Sequence, residues 1–278
     1  MIIGVDCGAT FIKAGLVDKN QVSRTIKIKT NAQKGKNSSL QAILSAIEKL
    51  FNPIVKGIGI GFPAPIDVKE GLIREVNNMP GWKNVFLKKI VEEKFKIPCL
   101  IENDANCFTL AEFKYGSGKN KKNIVGITLG TGVGMGIIIN KKLYSGTTGA
   151  AGEISRILYN NQWIENLANT IFFNKVAKMN PFEMHEKLKH NNKVAQKIIT
   201  LYGKNIGIIM AVITDIIDPE IIIIGGGLSH LFPHFKKSMF LELKKHCYKE
   251  TYKNLKIVQS KLKDAAIVGA ASLFDKNG

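Results

Sequence analysis

Apolar and polar positions change period along the chain, and the changes mark its elements. Ile2 to Val5 and Lys13 to Val17 read as strands on either side of Gly8-Ala9-Thr10. Val22 to Lys29 alternates apolar and polar, as a strand with one wet face does. Asn31 to Ser39 reads as a polar loop. Leu40, Ile43, Leu44, Ile47, Leu50 and Phe51 then recur at helical spacing behind Ser38 and Ser39, both favourable N-cap residues. Ile58 to Gly61 predicts a short buried strand before the turn Pro63-Ala64-Pro65. Val85 to Phe95 predicts a helix, Pro98 to Ile101 a strand, and the stretch after Asn103-Asp104 a helix to about Tyr115.

The same sequence of signals then repeats. Ile124 to Leu129 and Gly134 to Ile139 read as a glycine-joined β pair, with a turn at Asn140-Lys141 into a third strand at Leu143. From Asn161 to about Tyr248 the pattern is mainly helical, broken by Ile221 to Ile224 and the glycines Gly225, Gly226 and Gly227. Such a short, fully apolar run fits an interior strand. Ala265 to Phe274 reads as a terminal apolar helix. A β-rich opening followed by helices therefore occurs twice, from Met1 and from Ile124. The expected fold class is α/β, in two related halves with a cleft between them. The expected domains are 1–105 plus 264–278 and 106–263.

Composition narrows the partners. The 278 residues are 45% hydrophobic and 22% charged, as in soluble globular proteins. No apolar run reaches the roughly 18 residues of a membrane span, and residues 1–5 lead straight into Asp6 without the pattern of a secretory signal. Cys7, Cys99, Cys107 and Cys247 form no CxxC pair, which fits buried thiols in a reducing compartment. The expected location is cytoplasmic, with no membrane partner. Forty Lys+Arg against 22 Asp+Glu give a formal charge of +18. The lysine clusters lack interleaved aromatics and any helix-turn-helix or RRM signature, so they read as a solvated face rather than a specific nucleic-acid surface.

Two glycine turns carry candidate chemistry. No GxxxxGK[ST] occurs, because Phe113 stands where the first glycine before Gly118-Lys119 should be. The run Gly130-Thr131-Gly132-Val133-Gly134 leads into strand-like Ile137-Ile138-Ile139, whereas a dinucleotide fingerprint must open a helix. A β-turn whose backbone N–H groups can approach phosphate is the alternative. Asp6-Cys7-Gly8-Ala9-Thr10 has the same form, and two such turns can grip a triphosphate. Asp104 follows a strand and opens a helix. That suits a carboxylate accepting a hydroxyl proton, and equally a helix N-cap.

In this order the motifs resemble the nucleotide-binding turns of the actin-like ATPase superfamily: Asp6-x-Gly8-x-Thr10, Leu129-Gly130-Thr131-Gly132 and Ile224-Gly225-Gly226-Gly227. Six further segments narrow the match. They are Gly61-x-Pro63, Asn78-Met79-Pro80-Gly81-Trp82, Glu102-Asn103-Asp104-Ala105-Asn106, Leu110-Ala111-Glu112, Gly149-Ala150-Ala151-Gly152-Glu153 and Asp218-Pro219-Glu220. With them the chain resembles the ROK sugar kinases from residue 4 to about 274.

The resemblance implies a two-domain actin-like (ribonuclease H-like) fold and transfer of the γ-phosphoryl of Mg-ATP to the 6-hydroxyl of a hexose, glucose first. It implies Asp104 as general base, and Asn78, Asn103, Asp104, Glu153 and Glu165 on sugar hydroxyls. It implies Asp6 placing hydrated Mg²⁺. Gly8, Thr10, Gly130, Thr131 and Gly132 would cradle phosphates, with Gly226 and Gly227 against adenosine. A homodimer is the expected assembly. Two features depart from the family. Arg156 stands where a histidine is usual, and the cysteine-rich zinc module is absent, so no structural zinc is expected. The alternatives are an N-acetylhexosamine kinase such as one for N-acetylmannosamine, a polyphosphate-using glucokinase, and a non-catalytic sugar-responsive regulator. Arg156 can meet the sugar's C1–C2 side or simply pair with Glu153 or Glu165.

Overall fold

The computed structural model describes residues 1–76 and 79–275. Asn78, one of the expected sugar ligands, lies outside the described residues. By internal packing the chain forms two compact units. Unit 1 comprises Met1–Asn120, Gly136–Gly152 and the stretch from Lys261. Unit 2 comprises Lys121–Met135 and Glu153–Ser260.

Strands β1 (Ile2–Cys7), β2 (Phe11–Asp18), β3 (Gln21–Lys29), β4 (Ile58–Phe62) and β8 (Cys99–Asn103) make a sheet in the order β3-β2-β1-β4-β8. The outer pairs β1/β2 and β2/β3 are antiparallel, whereas β1, β4 and β8 run parallel. Between β4 and β8 lies a small antiparallel sheet of β5 (Ile66–Asp67), β6 (Leu72–Glu75) and β7 (Lys83–Phe86). Burial follows the sequence pattern. β4 is buried along its length, and β3 alternates between half-buried and exposed.

Helices α1 (Lys36–Glu48), α2 (Leu87–Phe95), α3 (Asp104–Tyr115) and α10 (Ala265–Ala271) also belong to unit 1. α10 lies directly on β1 and β4. A Cβ on Gly4 would strike the Ile267 carbonyl, and one on Gly59 the Ala270 carbonyl, so glycine floors the groove. Trp82 is core support: it packs on Phe62, and its indole N–H donates to Ser39 Oγ at 2.7 Å.

The second sheet has the order β11-β10-β9-β14-β15, formed by β9 (Ile124–Leu129), β10 (Val133–Ile139), β11 (Lys142–Leu143), β14 (Ile221–Gly225) and β15 (Lys256–Gln259). Its β9, β14 and β15 run parallel, so its plan repeats that of the first sheet. A hairpin of β12 (Leu158–Tyr159) and β13 (Gln162–Trp163) precedes helix α4 (Ile164–Ala168) and the single turn α5 (Thr170–Phe172). Helices α6 (Pro181–Lys189), α7 (Lys193–Ile217), α8 (Phe232–His246) and α9 (Lys249–Asn254) complete the helical part of unit 2. Tyr202 on α7, Phe235 on α8 and Phe173 form an aromatic centre. By length and composition α7 could cross a membrane, but 56% of its apolar window is buried in the protein.

Several elements differ from the pattern. The loop 31–39 already contains the start of α1, at Lys36. Residues 83–86 are a strand and the helix begins only at Leu87, because Val85 faces the small sheet opposite Ile73. The mainly helical stretch after Asn161 opens on the β12–β13 hairpin. β15, which the pattern did not announce, closes the second sheet as an edge strand.

Candidate active site

In unit 1 the carboxyl ends of the three parallel strands define one edge. Asp6 of β1 lies opposite Gly61 of β4, which lies opposite Glu102 of β8, and Phe62 lies opposite Asn103. Gly61 keeps this edge tight, since a Cβ there would fall 3.3 Å from both Asp104 Cα and Cys107 Sγ. Asp6 is half-buried. Burial raises its carboxyl above the usual range, and the charge of Lys13, its cross-strand neighbour, opposes the shift. The turn after it is pinned by the buried Thr30. Its hydroxyl donates to the Gly8 carbonyl at 2.6 Å, and its N–H donates to the Thr10 carbonyl at 3.0 Å. Thr10 itself is exposed at the tip.

Asn103 and Asp104 occupy the junction of β8 and α3, and they divide two tasks the sequence left open. The helix cap is Asn103, whose Oδ1 accepts from the N–H groups of Ala105 at 2.9 Å and Asn106 at 3.2 Å. Asp104 is the first helical residue and half-buried, and its Oδ1 accepts from the Ala105 N–H at 2.8 Å. It therefore stands at a helix N-terminus, where negative charge is favoured. The capping role falls on its neighbour.

Beneath this junction lies a residue whose function the sequence did not disclose. Glu102 is only 3% exposed. Its Oε1 accepts from the Asn103 N–H at 2.8 Å and Asn106 Nδ2 at 3.0 Å, and its Oε2 accepts from the Ser145 hydroxyl at 2.9 Å. Nearby thiols respond to these charges. Burial first, then Glu102, Asp104 and Asp6, push Cys107 well above the ordinary thiol range. Cys7, Cys99 and Cys107 are buried free thiols, and such thiols are unreactive.

Unit 2 assembles a second set. The turn between β9 and β10 closes with the Gly130 N–H donating to the Gly132 carbonyl at 3.0 Å, and leaves Thr131 exposed. The Thr170 N–H donates to the Gly130 carbonyl at 2.9 Å, which docks the segment after α4 onto this turn. From the other side, Tyr202 and Asn205 of α7 donate to the carbonyls of Ala168 at 2.8 Å and Leu167 at 3.2 Å. This bracing places the half-buried Glu165 so close that a Cβ on Gly132 would come within 2.9 Å of its Oε1. Gly226, at φ 81°, lies against the Leu129 backbone, and the Leu228 N–H donates to the Leu129 carbonyl at 2.9 Å. Gly227 is open to solvent, with no atom near its missing side chain. Its carbonyl lies 2.6 Å from His230 Nδ1.

Glu153 and Glu165 are electrostatic neighbours. Burial raises the Glu153 carboxyl, Arg156 pulls it down, and Glu165 pushes it up further. Burial raises Glu165 as well. Arg156 is exposed and makes no ion pair with either glutamate among the described residues. Also among the described residues, no group of three or more His, Cys, Asp or Glu side chains is placed to hold a metal ion.

The chain as a whole is similar to known proteins. A glucokinase of Halalkalibacterium halodurans is 31% identical over 82% of this chain and 80% of its own. The xylose repressor of Caldicellulosiruptor bescii is 29% identical over 96% of this chain and 76% of its own. A ROK family glucokinase from Streptomyces griseus, solved with glucose and AMPPNP, superposes with a TM-score of 0.86 at 26% identity, covering 98% of each chain. Its class has the actin-like ATPase fold, and that is the fold of this protein. The sequence profile of the ROK family matches residues 2–277, and the chain belongs to that family.

Proposed function

We propose that this protein is an ATP-dependent hexose kinase, with glucose as the first candidate acceptor and Asp104 as the base. The observation that carries the proposal is the division of labour at the β8–α3 junction. Asn103 takes the cap, and the Asp104 carboxylate, which accepts the Ala105 N–H, stands at the first helical position beside the strand edge. A carboxylate at the carboxyl edge of parallel strands can accept the 6-hydroxyl proton as that oxygen attacks phosphorus. Glu153, Glu165 and Asn103 offer hydrogen-bond acceptors suited to sugar hydroxyls.

The exposed tips at Thr10 and Thr131, with glycines beside them, suit phosphate contact through backbone N–H groups. Gly227 leaves room for the nucleoside. The donor set at Asp6 fits Mg²⁺. It is a single half-buried carboxylate, and such a hard cation keeps most of its waters and shares its remaining ligands with the nucleotide phosphates. Bound there with ATP, Mg²⁺ would supply charge neutralisation. The chain's own part is to position and to accept the proton.

Two observations bear on the rivals. Arg156 is exposed near Glu153 and unpaired with it, which supports a shifted sugar preference and keeps N-acetylmannosamine in the set of acceptors. A kinase is favoured over a regulator because one chain carries both the candidate base and both candidate phosphate turns. A coupled assay over hexoses and N-acetylhexosamines, with ATP and polyphosphate as donors, identifies the acceptor and donor. Asp104→Asn should lower kcat about 10²–10⁴-fold with little change in sugar affinity. A variant keeping a tenth or more of the wild-type kcat removes Asp104 from the role.

A further inference from the structure

The expected site residues account for Asn103 and Asp104 but leave the buried charge beneath them without a purpose. A carboxylate as enclosed as Glu102 is rare unless fully paired. Here three donors surround it: the Asn103 N–H, the Asn106 amide and the Ser145 hydroxyl. Two of them belong to the junction that carries Asp104. The third comes from a segment 39 and more positions further along the chain.

Apart from Ser145, that segment is held by backbone contacts, among them the Tyr144 N–H donating to the Ile137 carbonyl at 2.8 Å. Tyr144, Gly146, Thr147 and Thr148 are exposed. The Ala151 N–H donates to the Ser145 carbonyl at 3.2 Å, and Gly149, at φ 76°, rests on the Ile66 backbone. In the chain it runs straight into Glu153. Ser145 therefore anchors it to the floor of the junction.

Within the network the Asn106 amide is oriented by the carboxylate. Asn106 Oδ1 is buried and unpartnered, while Asn106 Nδ2 faces Glu102 Oε1 and lies 3.4 Å from Ser145 Oγ. Turning the amide over would satisfy nothing, because its oxygen would then face a carboxylate.

We propose that Glu102 is a positioning residue: by holding the Asn103 N–H, the Asn106 amide and the Ser145 hydroxyl at once, it fixes the start of α3 and registers residues 145–152 to it. Asp104 is thereby kept at one place relative to the segment that leads to Glu153. The inference rests on the reading of Asp104 as base. Its effect falls on turnover, since ground-state binding of a sugar tolerates small displacements that a proton transfer does not.

The test is made on the full chain with the acceptor found in the assay above. Ser145→Ala should lower kcat about tenfold while both KM values stay within twofold, and Ser145→Thr, which keeps the hydroxyl, should restore kcat to within about threefold. Amide exchange of the peptide around residues 102–107 should quicken in Ser145→Ala and not in Ser145→Thr. If Ser145→Ala does not fold, Glu102→Gln reads the same point through a smaller fall in kcat, about threefold to fivefold, at unchanged KM. Melting temperature lowered with kcat within twofold of wild type would make the network purely structural and overturn the positioning role, leaving the kinase reading intact. A wild-type chain that turns over none of the donor–acceptor pairs would overturn the kinase reading, and this inference with it.

Discussion

At the scale of single residues, adjacent glycines in one motif have different obligations. Gly226 has a positive φ, and an added Cβ would fall 2.7 Å from the Leu129 nitrogen. Gly227 has open space. Gly226→Ala should therefore destabilise by about 1–3 kcal/mol, at roughly 2–4 °C of melting temperature per kcal/mol. Gly227→Ala should leave melting within about 1 °C yet raise KM for ATP about tenfold, a shift near 1.4 kcal/mol. Thermal melts beside ATP titrations check both, and a Gly227→Ala enzyme with normal KM for ATP would take Gly227 out of the nucleotide site. The candidate site was legible in the sequence as far as motifs reach. Asp6, Asn103, Asp104, Gly130 to Gly132 and Gly226-Gly227 all stand at turns or strand ends, where their spacing put them. Glu102 and Thr30 were not legible. Glutamate is ordinarily a surface residue and threonine an ordinary strand residue, and only the folded chain shows that both are buried with their polar atoms used.

At the scale of elements, strands that are apolar throughout announced themselves, as Ile221 to Ile224 did, because both faces are covered. Short edge strands such as Lys256–Gln259 did not, since one exposed side and a length of four residues give no period to read. The β12–β13 hairpin had a signal that could have been used: Asn160 and Asn161, at φ 48° and 59°, form the two-residue turn for which paired asparagines are suited. One contact between elements sets a pH response. His185 of α6 packs edge-on to His230 and His234, with ring centroids 5.2 Å and 5.3 Å away. Burial and the charges of Lys189 and His230 lower the His185 pKa, with Glu186 opposing. His234 is lowered by burial and by the other two rings. At these two histidines the native chain then takes up protons less readily than the unfolded chain, so their contribution to stability is full above about pH 6.5 and falls as the pH drops below it, against the raised carboxyls of Asp6, Glu153 and Glu165, which act in the opposite sense. Calorimetric melts from pH 7.5 to 5 should show this slope, and His185→Gln should flatten it. An unchanged slope would assign the acid sensitivity to other groups.

At the scale of the whole molecule, the charge of +18 comes from lysines in several short clusters along the chain. Lys141 and Lys142 are exposed at the turn into β11, Lys236, Lys237 and Lys244 are exposed on α8, and Lys121 is bound by Glu220, which also accepts from the Lys122 and Asn123 N–H groups. DNA affinity should accordingly be weak, about 10⁻⁴–10⁻⁶ M at physiological salt, without sequence preference and weaker as salt rises. A nanomolar, sequence-selective complex in a filter or anisotropy assay would favour the regulator over the kinase. The glycine-floored groove on β1 and β4 has a different kind of consequence. The helix that fills it, α10, follows all of unit 2 in the chain, so the unit begun first is the last to be completed. During synthesis, at roughly 5–20 residues per second, Gly4 and Gly59 wait on the order of ten seconds beneath an open groove while unit 2 emerges. Throughout that interval the edge bearing Asp6 and Asp104 belongs to an unfinished core, and the newborn chain is exposed to chaperones and proteases until α10 arrives.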